Sequence, residues 1–238
     1  MQYGTYKILT PEKAKQIREI LETQDWEQGK ARTAELTGSI KRNLELKPGH
    51  GPELALVTEM SRQCTSAIAT NMEVQLDTLL RQMMSCKFNK FEPNDATPDG
   101  GSYERHTDAP WMGPVRTDFT AVLALTPKDD YEGGDHHVVH PHMGEMVFRP
   151  DAGELMIYET GYAHWVDPVT KGARISGLTW IESTVPDARQ RALLKVCRGV
   201  SADMEQKIDY TDDDCQFRKW FVDVGVLHSG LQRMWANR

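Results

Sequence analysis

The chain has 238 residues, 39% of them hydrophobic, and a formal net charge of −7. That length allows one sizeable core in a single domain, while the negative balance disfavours a nucleic-acid partner, which demands a basic surface to displace counterions. No apolar run approaches the roughly 20 residues needed to cross a bilayer, and Met1 to Thr10 lacks the basic, then apolar, then small-residue order of a signal peptide, so a soluble, cytoplasmic protein without membrane contacts is expected.

Residues 1–85 read as a helical flank. Thr10 can cap a helix with Pro11 at its first position, and Ala14, Ile17, Ile20 and Leu21 fall on one face. A second helical stretch starts near Pro52, where Val57, Met60, Cys64 and Ile68 repeat at helical spacing and Leu76, Leu79, Leu80 and Met83 follow. This stripe reads as core packing. From 87 to 183 the texture changes to short β-like runs: KFNKF (87–91), DFTAVLAL (118–125), DHHVVH (135–140), EMVFR (145–149), ELMIYE (154–159), HWVDPV (164–169) and RISGLTWIE (174–182). Gly133-Gly134, Pro150-Asp151 and Lys171-Gly172 supply turns between them. Helical spacing returns over 184–238, with Ala188, Ala192 and Val196, then Phe217, Trp220, Phe221, Val224 and Leu227. The expected fold is therefore mainly β with flanking helices, a sandwich or jelly roll in one domain spanning 1–238. Cys64, Cys86, Cys197 and Cys215 show no C-x-x-C spacing and read as reduced packing residues.

Six of the eight histidines lie in the β zone. Four of them crowd the strip GGDHHVVHPH, where His136 and His140 cannot share a strand face with His137 and Pro141 breaks the ladder. That strip reads as a solvated, His-rich hairpin rather than a metal site. "SYERHTDAP" (102–110) is different, because His106 and Asp108 stand two apart and point to one face of an extended chain. His164 follows 56 residues after Asp108, and Arg174 ten residues after that, in "HWVDPVTKGARISGLTW". A hairpin through Lys171-Gly172 would bring His164 near Arg174. Two imidazoles and one carboxylate on one face of an octahedron form the facial triad of non-heme iron(II) sites, leaving three positions open. The planar fork of Arg174 then suits two-point binding of a carboxylate.

On "FNKFEPN", "SYERHTDAP", "VRTDFTAVLALTPKDDYEGGD", "PDAGELMIYETGYAHWVDPVTKGARISGLTWIES" and "DARQRALL", with weaker echoes in "DWEQGKARTAEL" and "IKRNLEL", the chain resembles the prolyl-hydroxylase-like branch of the iron(II) and 2-oxoglutarate dependent oxygenases. Within that branch it is most similar to bacterial and phage PKHD-type hydroxylases. The resemblance implies a double-stranded β-helix, iron ligands at His106, Asp108 and His164, and a 2-oxoglutarate anchor at Arg174. It also implies Fe(II), 2-oxoglutarate and O2 as cofactor and cosubstrates, with ascorbate as an accessory. Members often carry a tyrosine where this chain has Phe91, so Asn89 or Tyr103 is expected to supply the secondary contact to 2-oxoglutarate. The implied reaction is hydroxylation of an unactivated C–H bond, with 2-oxoglutarate decarboxylated to succinate; the carboxylate at Asp108 argues against the related halogenases, which carry a small residue there. A peptidyl, prolyl-type substrate is implied, with a free amino acid or other small metabolite as the alternative. Trp111, Trp165 and Trp180 are candidates for either pocket wall or core, and Arg116 with Asp118 for a surface pair. The same ligands on a cupin-like jelly roll could hold zinc or manganese without oxygenase chemistry, but that reading leaves Arg174 without a role.

Overall fold

The structure, a computed structural model, describes residues 4–29, 40–95 and 97–236. In chain order its strands begin with β1 (Gly4–Lys7), β2 (Glu27–Gln28), β3 (Lys41–Arg42), β4 (Leu44–Leu46), β5 (Leu80–Met83), β6 (Lys87–Phe91), β7 (Gly101–His106) and β8 (Trp111–Met112). They continue with β9 (Val115–Arg116), β10 (Phe119–Ala124), β11 (Glu132–Gly133), β12 (His136–His140), β13 (Gly144–Phe148), β14 (Glu154–Glu159), β15 (His164–Lys171) and β16 (Arg174–Ser183). The described helices are α1 (Pro11–Glu22), α2 (Ala55–Thr70), α3 (Met72–Thr78), α4 (Ala188–Glu205) and α5 (Gln216–Trp235).

Two antiparallel sheets face each other. The larger runs β1-β14-β10-β16-β6-β4-β2, with β5 against β16; the smaller runs β13-β12-β15-β7-β3, with β11 against β15. Tyr158 of β14 and His136 of β12 meet across the gap, Oη to Nε2, at 3.2 Å. This is the jelly-roll architecture expected from the many short β-like runs. The largest group of buried apolar residues lies on the other face of the larger sheet: Ile175, Ile181, Phe88, Ala121 and Leu123 pack there against Ile17 and Leu21 of α1 and Val57, Cys64 and Ile68 of α2. α1 starts as its sequence dictates, with Thr10 Oγ1 accepting from Lys13 N and Pro11 at the first position.

Four expectations are corrected. The N-terminal flank is not purely helical, since β1 to β5 all fall within it; of the "DWEQGKARTAEL" echo, residues 30–36 lie outside the described residues. The second helix does not run through to Met83 either. It breaks at Asn71, whose side chain caps α3, and Leu79 turns left-handed (φ 51°), so Leu80 and Met83 belong to β5 and pair with β16. β15 and β16 do not form a hairpin: they pair in different sheets, and the chain crosses between sheets at Gly172. Gly172 has φ +72° and passes so close to Asp130 that a Cβ would lie 2.3 Å from its carbonyl oxygen, which suits glycine alone. Finally, α4 continues past Gly199 and buries Arg191 and Leu194 rather than the face of Ala188, Ala192 and Val196, the last being 63% exposed.

The reason for that rotation of α4 is electrostatic. Arg191 donates through Nη2 to both carboxylate oxygens of Glu159 (2.7 and 2.6 Å) and through Nη1 to the carbonyls of Val185 and Pro186, with its guanidinium 4.6 Å over the Phe119 ring. A second tie runs from α4 to α3, where Asp77 accepts from Lys195, Arg198 and the Tyr6 hydroxyl. Burial works against the Asp77 charge, yet these donors hold its carboxyl below the usual range.

Two outcomes follow. Glu159→Ala removes the forked partner of a buried arginine, leaving it Asp118 at 4.0 Å, and should cost about 3 kcal/mol in equilibrium denaturant unfolding; adding Arg191→Met should recover most of that loss. Asp77 is depressed in the folded state, so its contribution is present above the unfolded aspartate value of about 3.9 and fades as pH falls through the folded value. Melting curves of Asp77→Asn should accordingly show a lower Tm than the parent near neutrality, with the gap narrowing under acid.

Candidate metal centre

β7 ends at His106, and the chain stays extended enough for Asp108, two residues on, to turn toward the same point; β15 begins at His164, whose Cα lies opposite that of His106. His106 Nε2 is 3.8 Å from Asp108 Oδ1, His164 Nε2 is 3.8 Å from Asp108 Oδ2, and one donor atom from each of the three lies within 4.8 Å of the others. The sequence-predicted triad is thus brought together, at the mutual distances one small cation would span.

Hydrogen bonds prepare each member. His106 Nδ1 donates to the Glu104 carbonyl (2.7 Å) and His164 Nδ1 to the Tyr162 carbonyl (2.9 Å). Because each Nδ1 carries the proton, each Nε2 presents a lone pair to the shared point. Burial, reinforced by His164, pushes the His106 imidazole down to about 4, which keeps it neutral and able to ligate near pH 7. Asp108 Oδ2 accepts from Thr120 Oγ1 and Trp180 Nε1, both at 2.9 Å, and these two residues are Cα partners across β10 and β16. Two imidazoles with their Nε2 atoms turned inward and an oriented carboxylate fit a divalent transition metal with open positions.

Arg174 lies at the other end of the same interior. Ser176, Leu178 and Trp180 follow it on one face of β16, with Trp180 level with the triad. Arg174 is 5% exposed, and no carboxylate of the described residues pairs with it. Burial pulls the guanidinium below its usual value, the nearby Tyr131 phenol acts in the opposite direction, and the guanidinium lies 5.5 Å from the Phe91 ring. Gly134 (φ +71°) is what admits it, since a Cβ there would stand 3.0 Å from Arg174 Cδ. A buried, permanently charged fork without a counter-charge calls for an anionic ligand.

The secondary positions are mixed. Asn89 is buried on the inner face of β6, with its Oδ1 accepting from Asn43 Nδ2 at 2.9 Å. Tyr103 stacks on His106, centroids 3.6 Å apart. The phenol missing at Phe91 is replaced near Arg174 by Tyr131, which the sequence reading did not single out. Of the tryptophans, Trp180 joins the site, Trp111 is 56% exposed, and Trp165 stacks on His137. Arg116 and Asp118 form a forked pair that is tied to Ser183 and is only partly exposed.

The His-rich strip is not uniformly solvated, which corrects the expectation for one of its members. β12 pairs with β15, so alternation turns His136 inward; it is buried, its ring lies parallel to that of His164 at 5.8 Å, and burial holds its pKa well below the ordinary histidine value. The pairing of β12 with β15, the strand that carries His164, rather than any local pattern, was the missing signal. His137 points outward to Glu145 and Asp167.

Comparisons with known proteins agree with this geometry. The family model described as the 2OG-Fe(II) oxygenase superfamily matches residues 88–182, a span that includes His106, Asp108, His164 and Arg174. A PKHD-type hydroxylase of Acidovorax ebreus is 30% identical over 97% of this chain and 97% of its own length. The PKHD-type hydroxylase YbiX of Escherichia coli is 28% identical over 82% of this chain and 84% of its own. Among solved structures, a Trichoplax adhaerens prolyl hydroxylase in complex with a hypoxia inducible factor oxygen degradation domain peptide fragment shares the fold at TM-score 0.55 and 16% identity, over 81% of this chain and 86% of that one. The chain belongs to the 2OG-Fe(II) oxygenase superfamily and is an oxidoreductase akin to the PKHD-type hydroxylases, working with Fe(II), 2-oxoglutarate and O2.

Proposed function

We propose that the protein hydroxylates an unactivated C–H bond of a peptidyl, prolyl-type residue, with His106, Asp108 and His164 as iron ligands and Arg174 as the anchor for the far carboxylate of 2-oxoglutarate. The observation that carries this reading is the buried Arg174, which has no acidic partner among the described residues and shares one interior with the triad. Support for a peptide substrate comes from the fold shared with the peptide-bound Trichoplax hydroxylase.

When bound, the iron and its cosubstrate supply the oxidising power, O2 being consumed as 2-oxoglutarate is converted to succinate. The chain's own residues do the positioning. One carboxylate and two neutral imidazoles leave a divalent ion with a net positive charge, which favours an anionic chelator at the open positions. Arg174 fixes the other end of that chelator through a charge-assisted fork. Thr120 and Trp180 hold Asp108 Oδ2, leaving Oδ1 on the side of His106. Asn89, on the inner face between the levels of Arg174 and Trp180, is the amide placed to touch the cosubstrate chain.

Anaerobic addition of Fe(II) and then 2-oxoglutarate should produce the visible charge-transfer band of a chelated keto acid. His164→Ala should abolish the band, and Arg174→Ala should raise the 2-oxoglutarate needed about 10- to 100-fold; metal binding without a band in the parent would point instead to a metal-binding jelly roll. In a separate metal titration, Thr120→Val and Trp180→Phe should each weaken binding by about 10- to 100-fold while leaving the fold intact by circular dichroism. Unchanged affinity would show that Asp108 does not depend on them.

A further inference from the structure

The triad and the cosubstrate anchor account for Trp180 and Arg174 on the inner face of the larger sheet, but they leave Lys87 unexplained. Lys87 opens β6 opposite Leu178, and the register puts Lys87, Asn89 and Phe91 on the face that carries Arg174 and Trp180. Its Nζ stands 4.5 Å over the Trp180 ring, the same indole that donates to Asp108. Lys41 repeats the arrangement from the neighbouring sheet: its Nζ is 5.2 Å over Tyr103, which stacks on His106. Two ammonium groups therefore approach the triad, each separated from a ligand by one aromatic ring.

Their counter-charges differ. Glu45, on the inner face beside Asn89, is ion-paired to Lys41 and Lys47, and although burial pushes its carboxyl up, these lysines bring it down to about 2. Lys87 has no carboxylate of the described residues within ion-pair distance, and burial together with Lys41 draws its ammonium down to about 8, as expected of a cation removed from water without full compensation. Nor can it share the anion held by Arg174. Arg174 is opposite Phe91, four residues from Lys87, and four strand residues span roughly 13 Å. A half-buried cation beside the reacting centre, on the inner face and out of reach of the cosubstrate anchor, is placed to receive a second anion.

We propose that Lys87 is a specificity-determining residue that pairs with a carboxylate of the molecule to be hydroxylated. The carboxylate belongs either to an acidic side chain next to the target residue of a peptide or to a free acid, and the inference rests on the oxygenase reading above. The test uses full-length protein loaded with Mn(II) and 2-oxoglutarate without iron, titrated calorimetrically with N-acetyl-L-proline, N-acetyl-L-prolinamide and the capped dipeptide acetyl-Asp-Pro-amide. At least one acid should bind tenfold or more tightly than the prolinamide. Lys87→Met should erase that preference, Lys87→Arg should keep most of it, and the affinity of Lys87→Met for 2-oxoglutarate should stay within about twofold of the parent. Preference for N-acetyl-L-proline identifies a free acid, and preference for the dipeptide an acidic side chain. Equal binding of acid and amide, no acid bound by the loaded parent, or a preference that survives Lys87→Met would overturn the proposal. A tenfold loss of 2-oxoglutarate affinity in Lys87→Met would overturn it too, by assigning the lysine to the cosubstrate. If the parent takes up Mn(II) but not 2-oxoglutarate, the oxygenase reading itself fails and this inference falls with it.

Discussion

Charged groups can survive in a protein interior only if the apolar burial that holds the fold lies elsewhere or if each charge is matched. This chain relies on the first, and on the second only in part: Glu45 is paired by Lys41 and Lys47, whereas Arg174 and Lys87 have no carboxylate partner among the described residues. Among the described residues, the largest group of buried apolar side chains fills the layer between the outer face of the larger sheet and helices α1 and α2, whereas the space between the sheets holds two small apolar groups, one around Val169 and one around Met156. Into the remainder project Arg174, Lys87, Glu45, Asn89 and the histidines of the triad. With stability drawn mainly from the helix-backed face, the inner face is free to specialise in chemistry.

The site then follows from strand order. β15 carries His164 at its start and runs away from the triad; β16 begins with Arg174 at the far end and returns to Trp180 beside Asp108. One chain excursion, out in the smaller sheet and back in the larger, places His164, Arg174 and the indole that holds Asp108 along a single interior. The fork between Glu159 and Arg191 steadies the neighbouring end of β14 and packs on Phe119, which opens the strand bearing Thr120.

Much of this was legible in the sequence wherever the determinants are local. ELMIYE, a short apolar run, forms β14 over the predicted residues and is buried on both faces, and Thr10 with Pro11 begins α1 where capping chemistry says it should. His-x-Asp, the later histidine and the arginine sit in an order whose meaning survives ignorance of the fold. Pairing was what the linear chain withheld. The separation of β15 from β16 into different sheets depends on a close approach of Gly172 to Asp130, the inward turn of His136 depends on which strand β12 joins, and the nearness of Tyr131 to Arg174 depends on the gap left by Gly134. Burial of Arg191 likewise defeats helical periodicity, because an apolar stripe cannot announce that a charged residue has found its partner 32 positions away.

The two histidines of the triad are oriented by the carbonyls of Glu104 and Tyr162, each two residues upstream on the histidine's own chain segment. A main-chain oxygen is present whatever side chain occupies its position, so point substitution at 104 or 162 leaves the acceptor in place as long as the strand keeps its path. Asp108, by contrast, relies on the side chains of Thr120 and Trp180. Inheritance of the histidine geometry is thereby uncoupled from the identity of the residues around it, and descendants of this chain can exchange the groups that line the chamber, altering which molecules they accept, without losing the arrangement of their two imidazoles.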